Sequence, residues 1–246
     1  MVLALALAVA VGVVLGLLGA GGSILTVPIL MFFAHVGAKS AVISSLVVVG
    51  TTSLVAALQH RRKGTVRFRV ALSFAATGIP GAVLGGWLSR PLAPRTIQLA
   101  FAGVMVASAL GMLFRRDRAS GEASAEARGF SPGALGVGFF VGLLTGVVGA
   151  GGGFLIVPAL VLLAGVPMGD AVGTSLVVIA FNCAAGLLGK WGSAPVDWPL
   201  TLGFTACAVG GSFLGLGLTG RVSATGLRRA FALLVLGISA WMALGK

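Results

Sequence analysis

The stretch GAGGSILTVP at Gly19–Pro28 returns as GAGGGFLIVP at Gly149–Pro158. Glycine lets a main chain leave a helix and lets a solute approach it. The turn after such a break carries N–H groups that no helical carbonyl accepts. At the positive end of a short helix's dipole, those donors hold an anion without any side-chain charge. The chemistry on offer is anion binding, at Gly19, Ala20, Gly21, Gly22 and Ser23 in one copy and at Gly149, Ala150, Gly151, Gly152 and Gly153 in the other. Side-chain donors follow in the next apolar segments: Ser45 and Ser175 in matched SLVV blocks, then Thr52 and Asn182. Such groups donate to an oxyanion while leaving a pocket uncharged. The other reading is a hydroxyl bonded to its own helix carbonyl, or an amide joining two helices.

The surrounding sequence is what a lipid bilayer requires. Of 246 residues, 58% are hydrophobic and 9% charged, and the mean hydropathy is +1.11. So little polar surface cannot cover a soluble fold of this size, and strand-like alternation is absent, so the fold class is an all-α polytopic membrane protein. Apolar segments cover 2–34, 40–58, 70–88 and 97–114, then 132–164, 171–189, 200–218 and 228–244. Six suit single crossings of ~20 residues, whereas a straight helix over 2–34 or 132–164 would reach ~50 Å across a ~30 Å hydrocarbon core. Each long segment is therefore read as a helix broken at GAGG, its second piece starting near Gly22 or Gly152. Pro28 and Pro158 are expected to shorten or kink those second pieces. Gly12, Gly16, Gly142 and Gly146, at GxxxG spacing, are read as packing positions. Met1–Leu18 has no basic start and an internal counterpart before Gly149, so it is read as retained structure rather than a signal peptide.

The two copies lie 130 residues apart, and so do further matches without a gap: Phe74 with Phe204, Gly81 with Gly211, Gly85 with Gly215. The expected organisation is two homologous four-segment repeats, 1–114 and 132–246, joined by a polar linker at 115–131 that holds three of the five acids. Loop charge tests their relation. If each long segment crosses once, the repeats are parallel and Lys plus Arg divide 11 to 6 between the two sides; if it folds back, they are inverted and divide 12 to 5. The inverted arrangement is preferred, because it also sets the basic HRRKGTVRFR loop at His60–Arg69 opposite the nearly neutral KWGSAPVDWP at Lys190–Pro199.

Other chemistries find no foothold. The net charge of +12 sits in short loops rather than on a basic face, so no nucleic-acid partner is expected. Cys183 and Cys207 read as small core residues. There is no metal-ligand cluster, acid pair, G-x-S-x-G or Walker loop, so neither an enzyme nor a cofactor is expected. No acid stands inside a span: Asp170 begins a segment and reads as an N-cap, and Asp197 lies in a loop. His35 and His60, at segment ends, read as solvated interfacial residues, Lys190 as a snorkelling one, and Trp87, Trp191, Trp198 and Trp241 as belt anchors.

Two four-segment halves, each opening with a G-x-G-G-[GS]…P signature at Gly19, Gly21, Gly22 and Pro28 and again at Gly149, Gly151, Gly152 and Pro158, resemble the TauE/SafE family of membrane permeases. The resemblance implies transport of small anions, sulfur oxyanions or organosulfonates, across the bacterial inner membrane. It leaves the anion, the direction and the coupling ion open. The combined expectation is a multi-pass transporter, working by alternating access around a small-anion site where the two broken helices meet near mid-membrane. Its partners are that anion and the lipid bilayer, with a homo-oligomer left open. An anion channel on the same scaffold and a non-transporting membrane subunit are the alternatives.

Overall fold

The computed structural model describes residues 2–19, 21–88, 153–190 and 195–219 continuously, with scattered positions between 103 and 143 and between 223 and 237. The regular structure among them is helical: α1 (Val2–Leu18), α2 (Gly21–Phe32), α3 (Ala38–Arg62), α4 (Phe68–Leu88), α5 (Gly153–Pro158), α6 (Met168–Lys190) and α7 (Trp198–Thr219). A π-helical turn, Ala159–Leu163, continues α5. Helices are the natural outcome for apolar chain in lipid, because they satisfy every backbone N–H within the segment. Stretches of α3, α4, α6 and α7 (Ser40–Arg62, Phe68–Gly85, Met168–Leu188 and Trp198–Leu218) are long and apolar enough to cross a membrane. The chain is an all-helical, multi-pass membrane protein.

Glycine sets the closest helix pair. A methyl on Gly12 or Gly16 of α1 would run into the main chain of Ala208 or Ser212 in α7. From the other side, Gly211 and Gly215 meet the carbonyls of Val9 and Val13. Without a Cβ on either surface the two backbones approach directly, the packing that lipid favours. Ascending numbers meet ascending numbers, so α1 and α7 run parallel. The helical stretch around 138–143 packs on α4 likewise, Gly142 against Gly78 and Gly81 against Phe139. That is the same set of contacts moved by 130 residues with the halves exchanged, as Gly12–Ala208 becomes Gly142–Gly78 and Val9–Gly211 becomes Phe139–Gly81.

At the centre, α3 and α6 run antiparallel. A Cβ on Gly50 would stand 3.0 Å from that of Cys183, one on Gly173 3.1 Å from that of His60, and one on Gly186 3.5 Å from Leu46. In contrast, α3 and α7 run parallel: Thr201 Oγ1 lies 3.0 Å from Ser44 Oγ at one end, and Lys63 Nζ donates to the Leu216 carbonyl (3.0 Å) at the other. The bundle thus has an end marked by Arg62, Phe68, Met168 and Thr219, and an opposite end marked by Ala38, Leu88, Lys190 and Trp198. One buried apolar cluster joins Leu15, Val49, Phe74, Ile156 and Leu176. A second joins Ala8, Leu30, Val48 and Phe204.

Several local details recur at the same spacing. The Val36 N–H donates to the Leu30 carbonyl, and the Val166 N–H to that of Leu160. Ala41 to Gly37 matches Ala171 to Pro167, and Ala71 to Arg67 matches Thr201 to Asp197. His35 takes a left-handed φ of 54° where Gly165 takes 68°.

Candidate functional site

The long first segment is interrupted at its glycines. After α1 ends at Leu18, the Gly19 N–H still donates to the Leu15 carbonyl (2.8 Å), but Gly19 turns to a left-handed φ of 80°. Glycine adopts that conformation at no steric cost, which is why helices so often end on it. From Gly21, α2 returns along α1, so close that a Cβ on Gly22 would stand 2.5 Å from the Val11 carbonyl oxygen. The pair is a hairpin, and the first N–H groups of α2, from Gly21, Gly22 and Ser23, have no preceding helical carbonyl to bond.

Gly19 also presses on α6. A Cβ there would lie 2.7 Å from Ser175 Oγ and 2.9 Å from the Val172 carbonyl oxygen. Val172 and Ser175 belong to the first two turns of α6, so this interruption sits toward the Arg62 end of the bundle and not at its middle. Ala20, and in the second copy Gly149, Ala150, Gly151 and Gly152, lie outside the described residues. Gly153 opens α5, a helix of 6 residues that passes at Pro158 into the π turn, where the Ala164 N–H bonds the Ala159 carbonyl five residues back. Proline lacks the N–H that a regular ladder uses, and a register shift accommodates the loss. In the first copy α2 continues through Pro28 to Phe32.

The paired serines are buried, and each bonds its own helix: Ser45 Oγ donates to the Val42 carbonyl (2.7 Å) and Ser175 Oγ to that of Val172 (2.8 Å). Thr52 differs. It is 1% exposed, and its hydroxyl has no partner. Asn182 is half-buried. Two more groups on α3 are equally orphaned, the Ser53 hydroxyl and both amide atoms of Gln59. Sequence reasoning passed over them, because Gln59 adjoins a basic run and reads as interfacial. One signal was present: Ser45, Thr52 and Gln59 recur every seven residues, a single stripe of a helix.

Two readings of the polar ends are corrected. His60 is not solvated but 1% exposed. A carbonyl only accepts, so His60 Nε2 carries a proton and donates to Gly16 O (3.3 Å), while Nδ1 lies 3.0 Å from Thr65 Oγ1. The close packing of α1 brings that carbonyl within reach. Asp170 does not cap α6; it lies in the first turn and pairs with Arg67 Nε at 2.8 Å, and Arg67 also donates its backbone N–H to Thr174 Oγ1 (3.0 Å). The capping carboxylate is Asp197, which accepts from the Leu200 N–H (3.1 Å) at the start of α7.

A groove of about 440 Å³ runs outside the crossing of α3 and α6, walled by apolar residues such as Leu46, Leu54, Val177 and Phe181. Arg61 closes one end, its guanidinium 5.3 Å from the centre of the Phe68 ring. Leu54, Leu58 and Phe181 are exposed there, so the groove faces the membrane and offers an anion almost nothing polar. Among the described residues no group of three His, Cys, Asp or Glu is placed to hold a metal ion.

Spanning helices around a hairpin with free N–H groups define a polytopic membrane protein able to handle a solute. Comparison with known proteins makes the class specific. The sequence profile of the family "Sulfite exporter TauE/SafE" matches residues 4–242, and the chain belongs to that family. It is 32% identical over 238 residues to a "Probable membrane transporter protein" of Xylella fastidiosa (strain 9a5c), covering 94% of this chain and 90% of that one. To the "Probable membrane transporter protein YunE" of Bacillus subtilis (strain 168) it is 29% identical over 226 residues, 83% of each chain. To YdhB of the same organism it is 25% identical over 224 residues, 90% of this chain and 91% of that one. No solved structure matches. The protein is a membrane transporter of the TauE/SafE family.

Proposed function

We propose that this transporter carries a small sulfur oxyanion or organosulfonate across the bacterial inner membrane, by alternating access between two inverted halves, 1–114 and 132–246, with the linker 115–131 between them. The observation that carries the reading is the interruption at Gly19: it leaves the N–H groups of Gly21, Gly22 and Ser23 free inside an apolar bundle. Anions are what such donors hold. Of the described acids, Asp170 is paired with Arg67 at one end of the bundle and Asp197 caps a helix at the other, so neither repels an anion within the spans. The family's description as sulfite exporters supports the sulfur chemistry.

Inverted halves are supported by the matched hydrogen bonds 130 residues apart and by the exchanged glycine contacts. Because α3 and α6 occupy matched positions and run antiparallel, an operation exchanging them is a two-fold axis lying in the membrane plane. Under that operation the second interruption, at Gly149–Gly153, mirrors the first toward the opposite end, opposite Ser45 as Gly19 is opposite Ser175. Two staggered hairpins facing opposite sides suit a carrier that opens each in turn. Thr52 and Asn182, alike in position, lie between them.

Purified protein in liposomes tests the reading. Saturable movement of at least one of sulfite, thiosulfate, taurine or sulfoacetate is expected, with a raised melting temperature in the same anion, since ligand binding to the folded state stabilises it. Single-channel currents above carrier turnover would replace the carrier with a channel. If no anion moves and a stable partner co-purifies, the non-transporting alternative takes its place.

A further inference from the structure

Buried polar atoms almost always find partners, yet α3 holds four that do not: the hydroxyls of Thr52 and Ser53 and both amide atoms of Gln59. Thr52 is 1% exposed and Ser53 0%, so neither is satisfied by solvent. Each such group costs ~1–3 kcal/mol when left unbonded. Orphans at random would scatter through the bundle; these fall on consecutive turns of one helix.

Their heights are fixed by their neighbours. Gly50 and Cys183 touch at the middle of the α3/α6 crossing, so Thr52 and Ser53 stand at mid-bundle, as does Asn182. Gln59 stands two turns further along, beside His60, which bonds Gly16 just before the break at Gly19. The orphaned donors thus begin at the height of the interrupted helix and end at the centre of the membrane.

Resting on the function proposed above, we propose that Gln59, Thr52 and Ser53 form the selective track along which the anion passes from the N-terminus of α2 to the centre of the bundle. Their hydrogen bonds are completed only when an oxyanion is present. The track offers two hydroxyls and an amide and no cation. Neutral donors compensate the desolvation of a single negative charge far better than of two, because the cost of burying an ion rises with the square of its charge. The track therefore selects singly charged oxyanions, such as bisulfite or a sulfonate, over doubly charged sulfate.

The test measures uptake of methanesulfonate, sulfite, thiosulfate and sulfate into proteoliposomes for the full chain and its variants, with thermal unfolding of each in detergent. Methanesulfonate or sulfite is expected to enter at least about tenfold faster than sulfate, and Thr52→Val and Gln59→Leu to lower kcat/KM about tenfold. Thr52→Ser should keep near wild-type transport, and Thr51→Val, changed on the outer groove, should leave it unchanged. Thr52→Val should melt no lower than wild type, since it removes a hydroxyl that bonds nothing in the empty protein; a merely structural hydroxyl would make it melt lower. Folded Thr52→Val and Gln59→Leu variants that transport at the wild-type rate overturn the track while the transporter stands. Sulfate moving as fast as methanesulfonate overturns the charge selection. A wild type that moves none of the four overturns the proposed function, and the track with it.

Discussion

His35 is the one non-glycine residue with a left-handed φ among those described, and it occupies the position where the second half has Gly165. Its Cβ meets the backbone in that conformation, a strain glycine does not feel. His35→Gly is expected to raise stability by about 0.5–1 kcal/mol and Gly165→Ala to lower it by a similar amount, read as opposite shifts in thermal unfolding in detergent. Residue types were fully legible beforehand, and residue states were not. Ser45, Ser175 and Thr52 look alike in the sequence, yet two hydroxyls are bonded and one is orphaned. The difference depends on what stands within about 3 Å, which neighbours distant in the chain decide. His60 makes the same point, because the carbonyl that buries it belongs to Gly16 on another helix.

At the scale of elements, the legible quantity was length. Residues 2–34 are too many for one crossing, and the chain breaks inside the predicted glycines, with α1 ending at Leu18 and α2 opening at Gly21. The packing role of Gly12, Gly16 and Gly142 was also readable from their spacing, though not the partners they would meet. A Cβ at Gly12 or Gly142 faces main chain that cannot rotate away. Gly12→Ala and Gly142→Ala are therefore expected to cost about 2–3 kcal/mol each and to part α1 from α7 or 138–143 from α4. Gly210→Ala, with nothing within 4 Å, is the control, expected to be neutral or slightly stabilising by helix propensity. Equal melting temperatures for Gly12→Ala and Gly210→Ala would contradict the close approach.

For the whole molecule the open matter is which loops share a compartment. Thr65 is bonded at the Arg62 end through His60, whereas Val196 precedes the Asp197 cap at the other end. Cysteines introduced at the two positions, in a background with Cys183 and Cys207 replaced, are expected to react with a membrane-impermeant reagent from opposite sides. Labelling of both from one side would contradict the orientation. Loop charge alone separates the two arrangements narrowly, 12 to 5 against 11 to 6.

Composition, segment length and the doubled glycine signature determined by themselves that this chain is a helical membrane protein, where its helices run and where the first of them breaks. Each of those follows from local preference and from the cost of unbonded backbone in lipid, which act along the chain. Only the tertiary structure decided that α2 turns back along α1, that α3 and α6 are antiparallel, that Gly19 sits off-centre against Ser175, and that Thr52, Ser53 and Gln59 are left without partners. Direction, height and hydrogen-bond satisfaction are relations between helices, set by which small residues allow which backbones to touch.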